Sequence, residues 1–299
     1  MSTEADPMLP SAPFARTPLP AMAPDAWQAP PWRGAPGPPP DGTEPGAPRR
    51  RPGRGAAAAA CAVLGLGLIG GAVAGTWLTA PGERGAAETA YARGADLWRT
   101  VPVDTLFPRT VHNATAGPGG AARHWTRIGV AADADCKGAF DPLLARALAP
   151  AGCKRLLRAA YTDATSTRVT TVGLLVTDTD ATGMRALRKR FTGERLGERP
   201  DLMPRPYAPK GTAAERFGDA QRASWHISVL TDAPAVVYAV TGFADARTGT
   251  PPQPAERAVR PDATSAPAQA GLGHDANALA DRLEQGVRQA VTRPQETTR

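Results

Sequence analysis

The 299-residue chain contains no Walker P-loop, no H-E-x-x-H helix and no G-x-S-x-G elbow. Those absences remove the usual sequence signs of a nucleotide-phosphate cradle, a zinc hydrolase and a serine hydrolase. No RNP, zinc-finger or homeodomain pattern occurs either, so no nucleic acid is expected as a partner. Cysteine is scarce, with three in all, and one of these, Cys61, lies in an apolar run. The remaining two, Cys136 and Cys153, cannot complete a tetrahedral zinc site unaided, and no histidine lies at ligand spacing from them. No metal or cofactor is therefore expected. Lysine is nearly missing: 4 residues against 31 arginines. With abundant alanine, this looks like codon usage in a high-GC bacterial genome, and is no sign of nucleic-acid binding.

Charge is absent altogether from residues 55–80, GAAAAACAVLGLGLIGGAVAGTWLTA. A helix rises about 1.5 Å per residue, so this run is long enough to cross a hydrocarbon core of roughly 30 Å. Backbone groups in lipid must satisfy one another, which predicts a transmembrane helix. Four arginines (Arg49, Arg50, Arg51 and Arg54) precede it, and the flank after it is close to neutral. The positive-inside rule then places the N-terminus in the cytoplasm and the C-terminal part outside. The expected localisation is the cell membrane, with a single pass. A cleaved export signal is the alternative, through Ala72-Val73-Ala74 or the arginine cluster. Gly67, Gly71 and Gly75 share one face of that helix, where small residues would permit a homodimer.

The segment 1–54 holds fifteen of the 32 prolines and few branched aliphatic residues. It cannot bury enough apolar surface to offset its ordering entropy, and reads as a disordered Pro-rich cytoplasmic arm. Its Pro36–Pro40 stretch includes a PxxP match of the kind that docks in aromatic grooves. Six arginines against five acidic residues leave the arm at +1 of the chain's +7. The part after residue 80 therefore carries about +6, a charge suited to anionic lipid headgroups or an anionic wall polymer.

After a juxtamembrane linker, 81–94, the stretch 95–246 reads as one α+β domain. Strand patterns cover 124–131, 154–161, 168–177, 223–230 and 235–242. Helices are predicted from Pro142, with Asp141 as its cap, and over 181–192, capped by Asp178, Thr179 or Asp180. Residues 195–222 read as a long loop and 247–272 as a flexible Pro/Ala-rich connection. A C-terminal amphipathic helix over 273–293 carries Leu279, Leu283, Val287 and Val291 as one stripe, expected to pack back onto the sheet.

Cys136 and Cys153 form an even pair in a part expected to face an oxidising space, which predicts a disulfide. Bridged Cα atoms must lie within about 7 Å, which disfavours a parallel βαβ crossover between the two strands they flank. The expectation is an antiparallel sheet with helices on one face.

Candidate catalytic residues are few. Ser224, His226 and Ser228 alternate along one strand, and a hydroxyl beside a positioned base is the raw material of nucleophilic catalysis. The i, i+2 spacing is also the ordinary product of strand alternation, so no catalytic residue is assigned. Asp133-Ala134-Asp135 and Asp178-Thr179-Asp180 match the D-x-D pattern of a cation site, but lie where Asp is favoured as a cap or turn residue.

The spread Leu106-Phe107-Pro108, Trp125, Cys136, Gly152-Cys153-Lys154-Arg155-Leu156-Leu157-Arg158-Ala159-Ala160-Tyr161 and Thr170-Thr171-Val172-Gly173 resembles single-pass membrane proteins of actinobacteria, Streptomyces-like ones in particular. The likeness covers most of residues 50–245. It implies a Pro-rich cytosolic arm joined to an outer domain, and supplies no functional residue. The resulting expectation is a non-enzymatic extracytoplasmic domain that binds or senses a ligand, a wall polymer or an envelope protein. The alternatives are an envelope enzyme near His226 and a membrane scaffold.

Overall fold

The computed structural model describes residues 85–132 and 135–292. The expected arm, transmembrane helix and Gly67/Gly71/Gly75 face lie outside the described residues. Among the described residues, no helix is long and apolar enough to cross a membrane.

The chain forms a mixed α+β fold around a seven-stranded sheet of order β1-β2-β3-β4-β6-β5-β7. The strands are β1 (Thr110–Asn113), β2 (Arg123–Val130), β3 (Arg155–Asp163), β4 (Arg168–Val176), β5 (Arg222–Val229), β6 (Ala235–Phe243) and β7 (Gln253–Pro254). Every pairing is antiparallel except the short parallel contact of β5 with β7. Helix α1 covers 85–95, followed by the single turns α2 (Leu97–Thr100) and α3 (Val103–Leu106). Then come α4 (Pro142–Leu148), α5 (Ala181–Gly193), α6 (Ala255–Ala258), α7 (Ala266–Gln269) and α8 (Leu272–Thr292).

Helices cover both faces of the sheet, not one. On the first face, Tyr161, Leu174 and Val237 pack with Leu279, Leu283, Val287 and Val291 of α8, and with Leu97 and Phe107. On the second, Leu156, Leu175 and Val236 pack under Leu144 and Leu148 of α4 and under Met184, Leu187 and Phe191 of α5. Farther along that face Val169, Trp225 and Val240 lie under Met203, Ala214 and Phe217, contributed by the segment between α5 and β5. The central strands show the cause. Strands β4 and β6 are buried at nearly every position. A near-continuous apolar strand is the mark of a sheet covered twice.

The stretch read as a flexible connection, 247–272, instead carries β7, α6 and α7, with Ala255, Ala258 and Ala268 buried. It delivers the chain to α8, the main helix of the first face. The domain thus runs through α8 and does not stop near 246.

Local chemistry explains the joints. Asp180 caps α5 by accepting from the Gly183 N–H at 2.8 Å. Asp141 precedes α4 but makes no capping bond. Its carboxylate turns to the guanidinium groups of Arg222 (2.8 Å) and Arg205 (3.5 Å), an ionic attraction that outcompetes a cap. In the β3–β4 turn, buried Asp163 accepts from the N–H groups of Thr167 and Arg168, both at 2.8 Å. Burial alone would raise its pKa; hydrogen bonds from Thr165 and Arg168, with the Arg168 charge, hold it below the usual carboxylate value. Arg168 also donates to Asp275 of α8 at 2.6 Å, tying the turn to the start of that helix.

Gly173 of β4 faces Tyr238 of β6 in register. A Cβ at Gly173 would overlap the Tyr238 ring, which lies across the glycine and meets Phe140 edge-on at 5.5 Å. Gly173→Ala should therefore cost about 1–3 kcal/mol as overpacking, read by urea denaturation. The buried Tyr238 hydroxyl has no hydrogen-bond partner. Tyr238→Phe should then be neutral or stabilising by up to about 1 kcal/mol in the same assay, since it removes an unpaired buried polar group.

Candidate functional site

Cys136 and Cys153 meet with sulfurs 2.07 Å apart and Cα atoms 6.2 Å apart. The pairing of β2 with β3 explains why. Val130, at the end of β2, lies opposite Ala159 in the middle of β3, and the start of β3 runs on past that end of β2. An antiparallel pair brings those two ends together, so the chain leaves at Cys136, builds α4 and returns at Cys153. The bridge lies against the α4 and α5 core and closes the excursion.

The strand triplet separates in part. Ser224 is buried and its hydroxyl donates to the Gln253 carbonyl at 2.9 Å, joining β5 to β7. Ser228 borders a cleft of about 260 Å³ beside α5, which His226 and Glu256 also line. Between them, His226 faces α6 and α8. Its Nδ1 lies 2.7 Å from Glu256 of α6, and its Nε2 lies 4.0 Å from Glu284 of α8. Glu284 continues to Arg288 at 2.8 Å, and Arg288 to Asp232 at 3.1 Å. Burial would lower the His226 pKa. The hydrogen bond and charge of Glu256, then the charges of Glu284 and Asp281, outweigh it and raise the value. A general base needs one ring nitrogen aimed at a nucleophile. Here both nitrogens face carboxylates, the surroundings of a structural cation.

That arrangement fixes the sign of a pH effect. A raised folded pKa means that protonated His226 stabilises the fold; the contribution is complete below the unfolded value of about 6.5 and is lost as pH rises through the higher folded value. Thermal unfolding should show His226→Gln less stable than the parent near pH 5.5, with the gap closing by about pH 9.

The D-x-D pairs are turn chemistry. The Asp135 carboxylate accepts from the Lys137 N–H at 2.9 Å, and Asp180 is the α5 cap; Asp133 lies outside the described residues. Among the described residues, no group of three or more His, Cys, Asp or Glu side chains could hold a metal ion.

A larger concavity, about 610 Å³, opens between α1, the start of α5, the β5–β6 turn and the end of α8. Its floor and walls include Ala87, Tyr91, Ala181 and Val291, and its rim includes Glu88, Arg185 and Asp232. Helix α1 approaches that turn closely because Gly94 has no side chain: a Cβ there would lie 2.8 Å from Pro234 Cδ. Tyr91 is fixed by donating its O–H to the Thr179 carbonyl at 2.8 Å. Burial first, then the Asp180 charge, push its phenol up to about 12, so it remains a neutral hydrogen-bonded wall. The volume falls in the range of small-molecule sites, and an apolar lining with a few polar groups is their usual composition. Sequence reasoning missed this groove because its walls come from four separate segments, one of them read as a linker. It equally missed Glu256 and Glu284 as partners of His226. Strand alternation gave the side of β5 on which His226 lies, but not what covers that side.

No family model matches the chain, and no curated protein or solved structure is significantly similar to it.

Proposed function

We propose that the chain is a single-pass membrane protein whose extracytoplasmic domain binds a small amphiphilic ligand in the groove between α1 and α8. The groove carries this reading: its volume of about 610 Å³ suits a small ligand, and its walls are mostly apolar with charged groups at the rim. Chain geometry adds to it. The expected membrane span ends at residue 80, and the described part of α1 begins at 85. Four extended residues reach at most about 14 Å, so a span ending at residue 80 would hold the groove near the outer leaflet. His226, clasped between two acidic side chains, favours binding over catalysis.

Thr182 borders the groove and is exposed, so a large side chain there should fill the cavity without disturbing the core. The test is a titration of the detergent-solubilised full chain with single-tailed amphiphiles, followed by tryptophan fluorescence. Saturable binding by the parent and at least about tenfold weaker binding by Thr182→Trp is expected. Equal binding by both proteins, or none by the parent, would sink the reading.

A further inference from the structure

We propose a two-imidazole site for a divalent transition metal on the edge of the sheet, formed by His112 of β1 and His124 of β2. Twelve positions separate them in sequence, which is no recognised ligand spacing; strand register brings them together as direct partners. The pairing geometry makes that partnership close. The Arg127 N–H donates to the Arg109 carbonyl, marking 109 and 127 as a hydrogen-bonded pair. Such pairs alternate along an antiparallel ladder, so 112 and 124 form a non-hydrogen-bonded pair, where facing side chains come nearest. The two rings follow, with centroids 4.2 Å apart and planes tilted by 36°.

Both side chains are exposed, so an ion could reach them from solvent. The facing pair next to them on the same side is Thr110 and Thr126, which is uncharged. A zinc-type ion binds imidazole nitrogen at about 2.0–2.1 Å, which sets two such nitrogens roughly 3.3 Å apart at a tetrahedral angle. With the tilted rings already 4.2 Å apart between centroids, the proposal asks only for side-chain rotation to bring one nitrogen of each to that separation. Imidazole selects Cu²⁺, Ni²⁺ and Zn²⁺ over Mg²⁺ and Ca²⁺. With two protein ligands, the remaining coordination positions would be filled by water or by an outside ligand, which makes the site exchangeable. The proposal is independent of the groove.

The test uses the untagged full chain, stripped with chelator and titrated calorimetrically with NiCl₂ and ZnCl₂. One saturable site per chain is expected. Loss of an outer-sphere partner commonly costs 10–100-fold in metal affinity, so loss of a ligand should weaken binding at least about tenfold in His112→Ala and in His124→Ala alike. His274→Ala should bind as the parent does, since that ring faces the Ala116 carbonyl. Unchanged affinity in either single β1 or β2 variant, or no saturable binding by the parent, would overturn the proposal. Circular dichroism of the two variants confirms that the fold is kept.

Discussion

Leu283→Ala should lower stability by about 2–5 kcal/mol, the range for emptying a buried leucine site. Leu283 is 1% exposed and sits at the middle of the α8 stripe, packed on the sheet face that includes Tyr161, Leu174 and Val237. The size of the effect distinguishes two architectures. If α8 were an appendage tethered by a flexible connection, truncating one of its leucines would leave the unfolding midpoint of the sheet almost unmoved. With α8 as the main cover of one face, the sheet and the helix should unfold together. Chemical denaturation followed by tryptophan fluorescence and by far-UV circular dichroism should give one coincident transition, shifted to lower denaturant in the variant. Trp125 and Trp225 are both buried at the sheet and report its unfolding directly.

Removing the disulfide should have an effect of similar size. The bridge spans 17 positions between Cys136 and Cys153. In the chain-entropy model, closing a loop of about that length restricts the unfolded chain by roughly 3 kcal/mol. Replacing both cysteines with serine should therefore lower stability by about 2–4 kcal/mol. Reducing the parent should give a comparable loss, whereas reductant should leave the double variant unchanged. A parent insensitive to reductant would mean that the two thiols do not bridge in solution. The local consequence is also defined. The bridge packs against the cluster that α4 and α5 form on the second face, so its loss should loosen α4 first, seen as faster amide exchange over 137–152.

Much of the sheet was legible because its signals are local. The hairpins β3–β4 and β5–β6 follow from apolar runs separated by short polar turns, and the observed strands Arg155–Asp163, Arg168–Val176, Arg222–Val229 and Ala235–Phe243 lie within two residues of the expected ones. Helices α5 and α8 follow from a cap and an apolar stripe. The cysteine pair gave antiparallel neighbours by a distance argument, and β2 and β3 are antiparallel neighbours.

What was not legible depends on distant partners. The four-residue strand β1 alternates too briefly to stand out, and β7 has two residues. The segment 247–272 is rich in proline and alanine, a composition shared by linkers and by tightly packed turns. Ala255 and Ala258 are buried because small side chains let α6 approach α8. The expectation of helices on one face leaves the other to solvent, and alternation along β5 puts Ser224, His226 and Ser228 on the side opposite the apolar Trp225, Ile227 and Val229. His226 lies on the side taken as solvated, yet α6 and α8 cover it with Glu256 and Glu284. The groove needs α1, α5, the β5–β6 turn and α8 at once, and no local pattern encodes that meeting.

The most direct test of the proposed function is topology in the living cell, with compartment-specific reporters fused after Ala80 and after Arg299, combined with thiol trapping of Cys136 and Cys153. The account predicts both reporters outside and the cysteine pair oxidised. Reporters inside, with both thiols free, would contradict it and would place the groove and its ligand in the cytosol.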